Sequence, residues 1–71
     1  MIAIEQIVGL TGREQQIAAL VCHGLANKEI ARRLRLSEGT VKTHLHSILQ
    51  KLRIQSRREL IVAVSDKMAH L

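Results

Sequence analysis

Residues 36–52, LSEGTVKTHLHSILQKL, interleave lysine, threonine, histidine and glutamine with valine, leucine and isoleucine at intervals of three and four. Advancing about 100° per residue, as in a helix, gathers Val41, Leu45, Ile48, Leu49 and Leu52 into one sector and sets Thr43, His46, Ser47 and Gln50 opposite them. Lys42 and Arg53 lie on one shoulder of the polar face; Thr40, His44 and Lys51 lie on the other. Hydrogen-bonding groups at the middle with positive charge at the edges suit a DNA groove, where bases meet the middle and phosphates the edges.

Other chemistries lack their residues. His44 and His46 are two positions apart, so on a helix they point about 200° away from each other and cannot share a metal. Cys22-His23 has no companions at ligand spacing. Cys22 has no partner for an internal disulfide, and in the apolar run IAALVC it reads as a small hydrophobe. No nucleophile with base and orienting acid is evident, and Gly9, Gly12 and Gly24 read as caps or turns rather than a phosphate-cradling loop. Gly39, in the first turn of the basic helix, is either a variable position or a place where backbone approaches DNA closely. The chain is therefore expected to be neither an enzyme nor a cofactor or small-molecule binder.

The charge is local. Between Lys28 and Arg58 stand nine basic residues (Lys28, Arg32, Arg33, Arg35, Lys42, Lys51, Arg53, Arg57, Arg58) and two acidic ones (Glu29, Glu38), within a chain of net charge +5. Such an excess suits a polyanionic partner, although a solvated basic face on a helical bundle is the plain alternative. The 71 residues include no Phe, Tyr or Trp, and single strands are normally held by stacking bases on aromatic rings. Duplex DNA is the better fit. No apolar run approaches the roughly 18 residues needed to cross a bilayer, and MIAIEQIV lacks the basic start of a secretory signal, so a cytoplasmic location away from membranes is expected.

The elements that position these residues are punctuated by caps. Thr11-Gly12-Arg13-Glu14 is a capping box that opens a helix at Gly12, with Ile17, Leu20 and Val21 as its buried stripe and Gly24 as its left-handed stop. Asn27 is the next N-cap candidate, before a short helix KEIARRLR that buries Ile30, Ala31 and Leu34. Ser37 caps the third helix, which runs from about Glu38 to Leu52, with Leu36 and Val41 as a hydrophobic staple. Ser56-Arg57-Arg58-Glu59 repeats the capping box and opens a fourth helix to about Ala69. Sustained period-two alternation is absent. The expected class is all-α, a four-helix domain over 10–71 with no sheet, preceded by a linker or frayed segment over 1–9. Second and third helices joined by Arg35-Leu36-Ser37 match the spacing of a helix-turn-helix, with Lys28 adding charge to the amides at the start of the second.

LTGRE (10–14), NKEIARRL (27–34), LSEGTVKTHLHSILQKL (36–52) and SRREL (56–60) together resemble the LuxR-type (GerE-like) DNA-binding domain of bacterial transcription regulators. That resemblance spans about residues 10–69. It implies a helix-turn-helix in the second and third helices, and binding to inverted half-sites of promoter DNA as a dimer. It also implies service as the output end of a longer chain that carries a phosphate-receiving or ligand-binding domain. By motif, Lys42, Thr43 and His46 match base-contacting positions, and Lys28, Thr40 and Lys51 match backbone-contacting ones. The helical wheel reaches Thr43 and His46 independently, and leaves open whether Lys42 meets a base or a phosphate. Gly12 stands where many members have proline, and Arg53 where many have glycine. At Arg53, either a non-glycine residue adopts positive φ or the third helix ends by another geometry.

On the fourth helix Leu60, Ile61, Val64 and Met68 form a core stripe, while Val62, Ser65, Asp66 and Ala69 face away. The small, mostly apolar outward face suits a homodimer contact, as the resemblance also implies. A competing reading keeps the fold but gives the basic face to an acidic protein surface, on a regulator or RNA polymerase.

Overall fold

The computed structural model describes residues 9–69, with side chains described as far as Val64. The expected linker or frayed segment therefore lies, but for Gly9, outside the described residues. Four helices follow in order: α1 (Gly12–Cys22), α2 (Asn27–Leu34), α3 (Glu38–Lys51) and α4 (Arg57–Ala69). The described residues contain no strand, so the all-α class and the helix order are as expected.

Each helix starts and stops for a local reason. Thr11 Oγ1 accepts the Glu14 amide at 3.2 Å and Glu14 Oε1 accepts the Thr11 amide at 2.9 Å, which completes the first capping box. After His23 the chain turns through Gly24 at φ +89°, where the Leu25 amide bonds Leu20 O at 3.1 Å and the Gly24 amide bonds Val21 O at 3.0 Å. This paired closure satisfies carbonyls that α1 would otherwise leave open.

The start of α2 differs from expectation. Ala26, not Asn27, is its N-cap, and no side chain caps it; the Glu29 carboxylate instead reaches back to the Ala26 amide at 3.0 Å. Asn27 becomes the first helical residue because its Oδ1 is taken by Arg57, at 2.6 Å. Arg35 ends α2 at φ 58°, and the Leu36 amide closes on Ala31 O at 2.8 Å. The three residues Arg35-Leu36-Ser37 thus make the tight turn, and Ser37 Oγ accepts the Thr40 amide at 3.1 Å to start α3.

Arg53 settles the question left by its missing glycine: it adopts φ 57°, with the Ile54 amide on Leu49 O at 3.0 Å. The glycine-type ending persists with an arginine in the left-handed region, a conformation that costs L residues roughly 1–2 kcal/mol. At α4, Ser56 Oγ accepts the Glu59 amide at 3.2 Å, but the Glu59 carboxylate bonds the amide of Gln55, one residue before the expected partner.

Ile17, Ala18 and Val21 of α1, Ile30 and Ala31 of α2, Val41, Leu45 and Ile48 of α3, and Leu60 and Val64 of α4 share one buried cluster. Leu20, Leu34, Leu36, Leu49, Leu52 and Ile61 pack at its margin. All four helices thus commit one face to the same core, which fixes how α3 is turned. Met68, expected in this stripe, falls beyond the described side chains, as do Ser65, Asp66 and Ala69.

Candidate nucleic-acid interface

Because Val41 and Ile48 are fully buried and Leu45 nearly so, the reverse side of α3 must face outward, and Lys42, Thr43, His46 and Gln50 are all exposed there. Thr40 is exposed one turn earlier and His44 is half-buried on the flank. Thr40 also belongs to the start of the helix, its hydroxyl 2.8 Å from Ser37 Oγ. The Thr43 hydroxyl donates to Gly39 O at 3.0 Å. A backbone at Gly39 has space around it, since a Cβ there would meet Ser37 Oγ at 3.9 Å and nothing nearer.

Ser47 departs from its expected place. It is half-buried, and its hydroxyl donates to Glu14 Oε2 at 2.7 Å rather than standing open in the middle of the face. Lys51 is drawn the same way, with Nζ 2.7 Å from Glu14 Oε1 and its side chain 38% exposed. Glu14 is the functional-looking residue that the sequence hid as a cap: only 3% exposed, it is the buried charged residue of the described core. Burial pushes its carboxyl up, but the Lys51 ammonium, the Thr11 amide and the Ser47 hydroxyl together pull more strongly, lowering it from 4.5 to about 2. It stays ionised and pins the last turns of α3 to the start of α1.

A second cross-link was also outside the sequence reading. The half-buried Arg57 guanidinium donates to Asn27 Oδ1 and to Leu25 O, tying the start of α4 to the start of α2. Lys28 stands exposed beside that anchor, and Lys42 lies across the same shallow cleft. The arrangement brings positive charge from two helices to one side of the helix-turn-helix. Arg32, Arg33, Arg35, Arg53 and Arg58 add exposed charge elsewhere.

Cys22 is half-buried and burial pushes its thiol up, away from the reactive thiolate. No helix among the described residues is long and apolar enough to cross a membrane. On α4, Val62 is 53% exposed, a large apolar side chain left in solvent.

Comparison with known proteins agrees with this geometry. Residues 8–64 match the family described as bacterial regulatory proteins, luxR family. The chain is 49% identical over 58 residues to the nitrate/nitrite response regulator protein NarL of Escherichia coli (strain K12), which covers 82% of this chain and 27% of NarL. It is 46% identical over 52 residues to the uncharacterized transcriptional regulatory protein YxjL of Bacillus subtilis (strain 168), covering 73% of this chain and 24% of YxjL. A solved structure of the response regulator StyR superposes with TM-score 0.79 at 47% identity, over 89% of this chain and 32% of that one. The chain thus spans about a quarter of the length of the curated relatives described. With its helix-turn-helix and exposed basic helix, it belongs to the luxR family of bacterial regulatory proteins, as a DNA-binding domain of transcription regulation and not an enzyme.

Proposed function

We propose that this domain binds double-stranded promoter DNA in a sequence-specific way by laying α3 in the major groove. The observation that carries the reading is the two-sidedness of α3: Val41 and Ile48 sealed in the core, Thr43, His46 and Gln50 exposed on the reverse. Thr43, His46, Gln50 and Lys42 would meet base edges, while Lys28, Thr40, His44 and Lys51 line the approach to phosphates. Ser47 supports Lys51 through Glu14 instead of touching DNA. The dimension of the operator follows from a second element of the proposal: α4 pairs two copies through the outward face that carries exposed Val62, spacing two recognition helices about one DNA turn apart.

Kinship with response regulators supports use as the output domain of a longer, signal-controlled chain, of the kind NarL and StyR are named for. Selection of bound duplexes from a random pool tests the reading. It predicts recovery of a motif with two inverted halves. Recovery of no motif, or of single strands in preference to duplex, would contradict it.

A further inference from the structure

We propose that Thr43 selects its base pair through its methyl group, favouring a thymine whose C5-methyl it meets in the major groove. The inference rests on the reading of α3 as the groove-entering helix and adds the chemical feature that one of its positions reads. A threonine hydroxyl carries a single proton. In this structure that proton is committed to the helix's own backbone, because Oγ1 donates to Gly39 O at 3.0 Å. The hydroxyl therefore has nothing to donate to guanine O6 or N7, or to thymine O4.

The same bond fixes orientation. Oγ1 bonding to the carbonyl four residues back takes up the staggered position that points along the helix, which turns Cγ2 away from that carbonyl. Thr43 is exposed, and Gly39 one turn earlier has no side chain to overhang it. Thr40 contrasts with it, its hydroxyl joined to Ser37 Oγ at 2.8 Å within the cap. Among the four bases, thymine alone places a methyl group in the major groove, and apolar contact with that methyl is a direct way of reading it. Two methyl groups that meet there leave water together.

The test uses the 71-residue chain and the duplex it selects, with each thymine of a half-site replaced in turn by deoxyuridine, which lacks only the methyl. Kd is measured for the unaltered chain, Thr43→Val, which keeps the methyl and loses the hydroxyl, and Thr43→Ser, which does the reverse. The unaltered chain and Thr43→Val both keep the methyl, and each protein's Kd on the fully methylated duplex serves as its own reference. At one thymine, removal of the methyl is expected to weaken both by about fourfold, the scale of one buried methyl, and to leave Thr43→Ser unaffected. The proposal is overturned if Thr43→Ser responds to methyl removal like the unaltered chain while Thr43→Val does not. It is equally overturned if methyl removal costs Thr43→Ser as much as the unaltered chain at every thymine. A chain that selects no sequence at all would be a different result, overturning the groove reading on which the proposal stands.

Discussion

Glu14 Oε1 and Lys51 Nζ stand 2.7 Å apart, joining the first turn of α1 to the last turn of α3 across 37 residues of sequence. The carboxylate is buried and the ammonium is not, so the pair has one desolvated member and one that still meets water. Glu14 thereby has two duties: it completes the cap of its own helix and anchors the recognition helix.

Glu14→Ala should cost about 1–2 kcal/mol of unfolding free energy, by removing the cap from the Thr11 amide and leaving the half-buried Ser47 hydroxyl without its acceptor, while the exposed Lys51 ammonium turns to water. That is a large part of what a domain this small possesses. Urea denaturation measures it. The pH dependence follows from the carboxyl being lowered from 4.5 to about 2. A group whose folded pKa is depressed contributes stability above its unfolded value, and loses it as pH falls through the folded one. Stability should therefore fall between about pH 4.5 and pH 2, and Glu14→Gln should flatten that fall. An unchanged acid limb in Glu14→Gln would remove Glu14 from the account.

Arg57→Ala should lower stability by about 1–2 kcal/mol, since Asn27 Oδ1 and Leu25 O both lose a charged donor. Arg57→Lys should not restore it, because one ammonium cannot reproduce the planar fork that serves two acceptors. A double-mutant cycle with Asn27→Ala in thermal unfolding checks the coupling. Additive losses would show the two side chains to be independent.

The division of labour on the DNA face predicts two kinds of defect. Lys28→Ala should weaken binding to all duplexes by a similar factor and reduce the log–log salt slope by about 0.9. His46→Ala should instead lower discrimination at particular base pairs, by about 1–3 kcal/mol at most. Fluorescence anisotropy titrations on selected and scrambled duplexes at several salt concentrations separate them. Equal effects of both substitutions on every sequence would contradict the division.

Val62→Glu should leave the monomer folded, because Val62 is exposed, while weakening binding to a duplex with two half-sites more than to one with a single half-site. The comparison of the two duplexes carries the test. Equal loss on both would place the effect in the charge of the new carboxylate rather than in pairing of copies.

How much of this was legible beforehand depends on whether a contact is local. Thr11 and Glu14, Ser37 and Thr40, and Ser56 and Glu59 lie three residues apart, so sequence alone predicts their caps. Val41, Leu45 and Ile48 repeat at helical spacing, so the inward side of α3 was equally readable. Glu14 with Ser47 and Lys51, or Arg57 with Asn27, are 30 or more residues apart and arise only once the helices pack. A helical wheel places Ser47 opposite the core because it knows nothing of α1 lying alongside. Asn27 misled for the same reason: its amide oxygen was claimed by a distant arginine. The left-handed Arg53 could be posed as a question from sequence but not decided, since packing has to outweigh a local preference.

The central claim is that the outward side of α3 is the surface that DNA covers. Its most direct test follows backbone amide signals by NMR as a selected duplex is added to the isotope-labelled chain. The largest changes are expected in 39–50, with a second group around Asn27 and Lys28, both fading as salt is raised. Perturbation confined to α4 or the outer side of α1, with Lys42, Thr43, His46 and Gln50 unmoved, would contradict it.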